Sequence, residues 1–466
     1  MKADYLQDTI AVISTPMGKG AIAILRLSGD KALKTASRIF YNPKVDLLTS
    51  PPRFMHYGKI IDPLSQQLID EVMLTHMPPE SSFTREEVVE IYCHGGDVIP
   101  NTILKLLLSL GLRMAEPGEF TQRAYLNGRI DLTQAEAIHD IIDSQNQLAS
   151  RIALSNLEKR FSKIIYGFRD SLVQILAKLE VNIDYPEEDL EPLYREEFQS
   201  TLESIIHETD RIVLDSQNGK IIKQGIKVAI VGKTNVGKST LFNYLTREDR
   251  AIVSHIHGTT RDFLETHITL AGVPIELVDT AGFRVTNDDI EEIGKIRSQN
   301  KMSEADLILW VLDYNRPWDE GDDHVASSIK RVSPKEVIYV VNKTDLEKAL
   351  DLEAESLSFQ PERVFHISLK GNMGLSDMEK GFKSIFLKQD FSFNEQTVIC
   401  NIRQESLLLQ CQASLKKALS ALSEGLSYEF IAIDLREALD SLSEIVGEVT
   451  TEDILTEIFN NFCIGK

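Results

Sequence analysis

The densest chemistry in this chain lies in nine consecutive residues, Gly232, Lys233, Thr234, Asn235, Val236, Gly237, Lys238, Ser239 and Thr240. They come directly after the apolar run Val228 to Val231, which reads as a buried strand, so the context is strand, glycine-rich loop, helix. In the pattern G-x4-G-K-[ST], Gly232 and Gly237 let backbone N–H groups wrap a polyphosphate without interference from a Cβ. Lys238 is placed to neutralise the β- and γ-phosphates, and the Ser239 hydroxyl to ligate Mg²⁺.

Two further strand ends carry matching chemistry. Ile275 to Val278 is apolar and runs into Asp279, Thr280, Ala281 and Gly282, where a carboxylate can hold Mg²⁺ through water and a backbone N–H can sense a γ-phosphate. Val337 to Val341 runs into Asn342, Lys343, Thr344 and Asp345, whose carboxylate can accept both N1–H and the exocyclic amine of guanine. Taken singly these are ordinary turn residues; in this order, each after its own strand, they specify a GTPase. Between the loop and Asp279 lie Gly258, Thr259, Thr260, Arg261 and Asp262, and Thr260 is placed to close over Mg²⁺. Phe283 and Arg284 stand where Ras-like enzymes carry a water-orienting Gln, so water must be positioned by another group. Asp288, Asp289, Glu291 and Glu292 supply carboxylates nearby; they also suit a solvated first helical turn.

At 466 residues the chain exceeds the size of one core, so two or three domains are expected. With 50 Lys and Arg against 71 Asp and Glu, a net charge of −21 excludes a standing basic surface for nucleic acid, which would need a local patch or a basic partner. Cys93, Cys400, Cys411 and Cys463 are scattered without metal-ligand spacing, as expected of free thiols in a reducing compartment. No apolar stretch reaches membrane-spanning length, and a soluble cytoplasmic protein is expected. Short β-like runs (Ile10 to Ser14, Ala21 to Ser28, Val72 to His76, Val88 to Cys93) predict an N-terminal α/β domain. From Pro117 to Pro186 the chain lacks proline, and Ile138, Ile152, Phe161, Ile165, Leu172, Ile175 and Leu179 recur at helical spacing, predicting one or two long helices. Helical periodicity returns at Leu407, Leu408, Cys411, Leu415, Leu435 and Leu442, so the GTPase reads as inserted into a helical domain whose halves pack together. Thr450 with Asp453 predicts the cap of a last helix. The expected fold class is α/β plus α: residues 1–127 as N-terminal domain, 128–224 and 388–466 as the helical halves, and 225–387 as an inserted Ras-like P-loop domain.

Across nearly its full length the chain resembles the bacterial tRNA modification GTPases of the MnmE (TrmE) family. The likeness rests on the GTPase motifs together with Ser82-Phe83-Thr84, Val89-Glu90-Ile91 before His94-Gly95-Gly96, Pro117-Gly118-Glu119-Phe120, Ala135-Glu136-Ala137-Ile138 and the terminal Phe462-Cys463-Ile464-Gly465-Lys466. By this resemblance the N-terminal domain binds 5,10-methylene- or 5-formyltetrahydrofolate and forms a homodimer, with Arg26, Glu90, Arg129 and Lys466 lining the folate pocket. The resemblance also implies that two G domains meet around K⁺, held by the Asn235 side chain and backbone oxygens of Ser254, Ile256 and Thr259, with His255 and His257 incidental neighbours in that loop. Glu291 matches the family's water-orienting glutamate, which answers the question left by Phe283. Ser368 marks the loop on the purine side. Two positions depart from the family pattern, Val285 where a glutamate is usual and Leu369 where an alanine is usual.

In function, the resemblance implies a GTP-hydrolysing component that, with an MnmG (GidA) flavoprotein carrying FAD, installs an aminomethyl-type group at C5 of the wobble uridine of tRNA. The alternative is a regulatory GTPase binding module, in ribosome assembly or stress signalling, whose nucleotide state only recruits partners. A folate site separates the two, because a recruiter needs no one-carbon donor.

Overall fold

The computed structural model describes residues 8–16, 18–144, 146–184, 192–246, 265–270, 273–278, 302–332, 336–352, 363–386, 397–462 and 465. They form two compact units, Met1–Ile142 with Ala153–Ile206 and Ser406–Lys466, and Asp143–Ile152 with His207–Glu405.

The first unit holds a seven-stranded sheet of β1 (Ile10–Ile13), β2 (Ile22–Ser28), β3 (Phe40–Tyr41), β4 (His56–Ile61), β5 (Leu68–Met77), β6 (Val88–His94) and β7 (Arg113–Met114), in the order β3-β4-β5-β6-β2-β1-β7. Alternation along the strands gives it two unlike faces. Leu25, Leu27, Val72, Leu74, Val89 and Ile91 point into a core with residues of α1 (Ala32–Ile39) and α2 (Val98–Ser109). The residues between them face the other way. Direct cross-strand pairing aligns Ile24, Tyr92, Met73 and Tyr57 in one row, and Arg26, Glu90 and Thr75 in the next.

Beyond the sheet, the proline-free stretch divides into more helices than its periodicity suggests: α3 (Glu119–Leu126), α4 (Leu132–Asp143), α5 (Gln147–Leu157) and α6 (Arg160–Asp184), followed by α7 (Pro192–Gln224). Capping, not proline, makes the breaks. Left-handed Gly128 (φ 69°) ends α3, the Asp131 carboxylate accepts the Gln134 N–H (2.9 Å), Asn146 accepts the Ala149 N–H (2.8 Å), and Lys159 turns left-handed at φ 67°. Later come α11 (Ile402–Glu424), α12 (Tyr428–Val446) and α13 (Glu452–Asn460), and α12 packs along α6. The last helix is capped by Thr451, which accepts the Ile454 N–H at 3.4 Å, and not by Thr450, whose hydroxyl is buried without a hydrogen-bond partner among the described residues. Phe459 and Phe462 pack with Ala124, Ile130 and Leu132, tying the carboxyl-terminal segment to α3 and α4.

The second unit is built on β8 (Ile226–Val231), β9 (Glu265–Leu270), β10 (Val273–Val278), β11 (Leu307–Asp313), β12 (Glu336–Asn342) and β13 (Val364–His366), ordered β13-β12-β11-β8-β10-β9. Every neighbouring pair is parallel except β9 with β10. Unbroken apolar strands such as β11 fit a sheet covered on both faces, by helices that include α8 (Lys238–Leu245), α9 (Glu320–Val332) and α10 (Leu375–Phe386). In a parallel sheet all the loops after strand C-termini gather at one edge, which is where chemistry is assembled.

Candidate functional site

At that edge the loop after β8 is shaped by close backbone approach. Gly232 (φ 143°) leaves no room for a side chain, since a Cβ there would lie 2.3 Å from the Val311 carbonyl oxygen. Gly237 (φ 109°) precedes α8 directly, and its Cβ would meet Asn342 Nδ2 at 2.3 Å. Lys238 folds back over the loop, donating to the carbonyls of Gly232 (2.8 Å) and Lys233 (2.5 Å). Ser239 and Thr240 are exposed at the N-terminal turn of α8, where unpaired N–H groups and the helix dipole favour an anion.

The segment after β12 braces the same loop. Asn342 Nδ2 donates to the Val236 carbonyl (2.9 Å) while its Oδ1 accepts from the Leu369 N–H (3.3 Å). Lys343, left-handed at φ 70°, donates from Nζ to the Asn235 carbonyl (2.9 Å) and to Asp313 Oδ2 (2.6 Å). Asp345 stays exposed, and Ser368 Oγ donates to its Oδ1 at 2.6 Å. That hydrogen bond is the main reason its carboxyl sits below the usual range, so it is a carboxylate ready to accept two ring donors. Leu369 enters only through its backbone N–H, so the departure from alanine leaves this contact intact.

The structure therefore brings Asn235, Val236, Gly237, Lys238, Ser239, Thr240, Asn342, Lys343, Thr344, Asp345 and Ser368 to one strand edge of one unit. Ser254, His255, Ile256, His257, Gly258, Thr259, Thr260, Asp279, Thr280, Ala281, Gly282 and Glu291 lie outside the described residues, as do Val285, Cys463 and Lys466. Asp313, which fixes Lys343, was not singled out by sequence reasoning. It ends the apolar run Leu307 to Leu312, and a carboxylate at that strand end was the available signal.

The second cluster lies on the first unit's sheet face away from α1 and α2. Arg26 on β2 pairs with Glu90 on β6 through Nε (2.8 Å) and Nη2 (2.7 Å), and Tyr92 donates its hydroxyl to the other Glu90 oxygen (2.7 Å). Burial, then this bond to Glu90, push the Tyr92 phenol up to about 12. The Arg26 guanidinium lies 5.8 Å from the Phe120 ring centre, and its Nη1 reaches the Gly465 carbonyl at 3.5 Å, so the carboxyl-terminal tail arrives at this face. Arg129 is engaged elsewhere: it donates to the Ser82 carbonyl and stands 5.3 Å from the Phe83 ring centre. Tyr92 and Phe120 were missed as single residues, although Tyr92 lies two positions from Glu90 on the same strand.

Loop, lysine and guanine-reading carboxylate on a mainly parallel sheet define a P-loop guanine-nucleotide-binding protein. A family model described as GTP-binding protein TrmE N-terminus matches residues 9–129, and another described as MnmE helical domain matches residues 132–463. The chain is 43% identical to the tRNA modification GTPase MnmE of Geobacillus kaustophilus over 461 residues, covering 98% of this chain and 99% of that protein. The MnmE of Acetivibrio thermocellus is 41% identical over 99% of this chain and 100% of its own, and that of Enterococcus faecalis 42% over 98% of each. Among solved structures, the G domain of the T. maritima FeoB iron transporter aligns with 34% of this chain and 95% of its own at 23% identity and a TM-score of 0.24. The chain belongs to the MnmE family of tRNA modification GTPases. It is thus a GTP hydrolase of tRNA modification, and among the described residues no helix is long and apolar enough to cross a membrane.

Proposed function

We propose that the chain is the GTP-hydrolysing component of a complex that adds an aminomethyl or carboxymethylaminomethyl group at C5 of the wobble uridine, U34, of tRNA. The observation that carries this reading is the Arg26–Glu90 pair, partly exposed on a sheet face with the carboxyl-terminal Gly465 beside it. A reduced pterin offers an amine and a ring N–H side by side, the donor pair that guanine offers Asp345, and a carboxylate held in plane by an arginine accepts both. Glu90 would read the pterin of 5,10-methylene- or 5-formyltetrahydrofolate, Arg26 would fix Glu90, and Lys466 and Arg129 would serve the folate from the tail and from the α3–α4 turn. The bound folate would supply the one-carbon unit. FAD belongs to the MnmG (GidA) partner, which would also bear much of the contact with tRNA, in keeping with this chain's charge of −21.

Exposed Tyr41, Tyr57 and Met73 lie on β3, β4 and β5 and support homodimerisation through residues 1–127. The remaining boundaries fall at 224 and 387. In the GTPase part, Ser239 and Thr260 would hold Mg²⁺, and Glu291 would orient the attacking water. Asn235 is exposed and left-handed at φ 65°, its carbonyl is taken by Lys343, and among the described residues its side-chain amide has no hydrogen-bond partner, which leaves it able to ligate a cation. It would share K⁺ with the backbone oxygens of Ser254, Ile256 and Thr259, and the ion's charge would offset charge developing between two facing G domains. A cytoplasmic location follows from the substrate.

Three measurements test the reading. Titration of the full chain with 5-formyltetrahydrofolate should saturate, and nucleosides of bulk tRNA should lose their C5-aminomethyl-type uridines when the gene is deleted; persistence of those nucleosides overturns the modification reading and leaves a recruiting GTPase. GTP turnover should be much faster in K⁺ than in Na⁺, and equal rates overturn the K⁺ assignment alone.

A further inference from the structure

One ion cluster at the nucleotide edge is unused by the chemistry above. Lys233, the residue after Gly232, turns its side chain away from the loop into two carboxylates: Asp319 Oδ2 at 2.8 Å and Asp322 Oδ2 at 2.5 Å. The Lys233 side chain is 15% exposed and that of Asp322 only 5%, so this pair is shielded from solvent where a surface pair is not. The fit is tight, since a Cβ on Gly321 would lie 2.8 Å from Lys233 Cδ. Both carboxylates are themselves anchored. Asp319 Oδ1 accepts the Gly321 N–H (2.8 Å), and Asp322 Oδ2 accepts the Asp319 N–H (3.2 Å), closing the first turn of α9.

At the same residue the backbone carbonyl of Lys233 accepts from Lys238 Nζ, so one residue joins α9 to the lysine that meets phosphate. We propose that Lys233, Asp319 and Asp322 form a clamp that positions the open side of the phosphate loop and sets its affinity for the β-phosphate. The clamp works in two ways. It holds the Lys233 carbonyl where Lys238 is aimed, and it neutralises carboxylates that would otherwise repel the nucleotide at short range. It rests on the GTPase assignment and is independent of folate, K⁺ and the tRNA reaction.

The test is equilibrium binding of GDP and of GMP to the full chain by nucleotide titration, because GMP uses the base-reading groups without a β-phosphate. Lys233→Met should weaken GDP by about tenfold, the size of effect found when a hydrogen-bonded charge partner is removed, and change GMP by less than twofold. Asp322→Asn should also weaken GDP, and the double variant should weaken it by less than the product of the single effects, since the pair acts as a unit. Lys233→Arg should restore most of the GDP affinity. Because Asp322 also closes a helical turn, Asp319→Asn is read beside it as a variant that spares the buried carboxylate. Lys178→Met, which breaks an exposed ion pair in the first unit, should leave both affinities unchanged. An unaltered ratio of GDP to GMP affinity in Lys233→Met, or an equal loss of both nucleotides in it, overturns the clamp.

Discussion

Arg123 and Arg26 belong to the same unit and both face carboxylates, but they are solvated in opposite ways. Arg123 is 1% exposed and fully engaged: Nη2 binds Asp8 (2.7 Å) and Glu119 (2.8 Å), Nη1 binds the Asp8 carbonyl (2.9 Å) and Glu86 (3.2 Å), and Nε reaches Glu119 at 3.3 Å. Among the described residues the Arg26 side chain, 24% exposed, pairs with one carboxylate and extends one arm to a carbonyl only at 3.5 Å. A saturated buried arginine can offer nothing to a ligand. An arginine with an unfinished hydrogen-bonding shell on an open sheet face can exchange its present contacts for better ones at little cost. Residue type and ion pairing alone do not mark a binding site; incomplete satisfaction at a surface does.

The largest effect expected from this contrast is on stability. Arg123→Met leaves the shielded carboxylates of Glu119 and Glu86 facing each other beside a partly exposed Asp8, and removing one member of a buried ionic cluster costs about 3–5 kcal/mol. Denaturant unfolding of the full chain should show that loss, while folate binding by whatever fraction remains folded should keep its affinity. Arg26→Ala should do the reverse. Its pair with Glu90 is partly solvated, so stability should move by less than about 1 kcal/mol. Folate affinity should fall by about ten- to a hundredfold, the equivalent of the ~1.5–3 kcal/mol carried by a hydrogen bond to a charged group. If Arg26→Ala unfolds the chain as readily as Arg123→Met, the open face is a structural element and the folate reading loses its main support.

How far each region could be read from sequence depends on the same physics. Phosphate and guanine recognition use consecutive residues, because a loop must wrap one small group, so Gly232 to Thr240 and Asn342 to Asp345 were legible without a structure. The Arg26–Glu90 pair joins residues 64 positions apart, and only strand register brings them face to face. Residue chemistry alone left them as an ordinary strand arginine and a sheet-face glutamate, and the family resemblance singled them out. Helix boundaries failed where the capping side chains of Asp131 and Asn146 and the left-handed backbone at Lys159 outweighed periodicity, and at the last helix by one residue, Thr451 in place of Thr450. The clamp at Lys233 was invisible because its lysine occupies a variable position of the loop motif and its carboxylates lie more than 80 residues on.

The two arginine clusters should also act on opposite limbs of the pH dependence of stability. Burial pushes the Glu119 carboxyl up, but hydrogen bonds from Arg113, the Glu116 N–H and Arg123 outweigh it and hold it below its ordinary value; the Arg113 and Arg123 bonds likewise outweigh burial at Asp8. A carboxylate with a lowered folded pKa contributes stability that is present above its ordinary value and lost as pH falls through the folded one, so the Arg123 cluster acts on the acid limb, beside Asp62 and the exposed Asp319, Asp345 and Glu429, which are also lowered. Tyr92, beside Arg26 and Glu90, is raised from 10 to about 12 by burial and the Glu90 contact. Its contribution is complete below pH 10 and is lost as pH rises towards 12, because the unfolded phenol ionises first. Tyr92→Phe should therefore flatten the alkaline limb of a stability profile while leaving the acid limb in place. Tyr57, Tyr166 and Tyr339 and the buried thiols Cys93, Cys400 and Cys411 are also raised, so the flattening should be partial, and this is the smallest of the effects. Bound folate should sharpen it: if Glu90 turns from Tyr92 to the pterin, the phenol loses its carboxylate neighbour and the alkaline limb of the wild type should shift when folate is added. An alkaline limb identical with and without saturating folate would show that the ligand sits away from Glu90 and Tyr92.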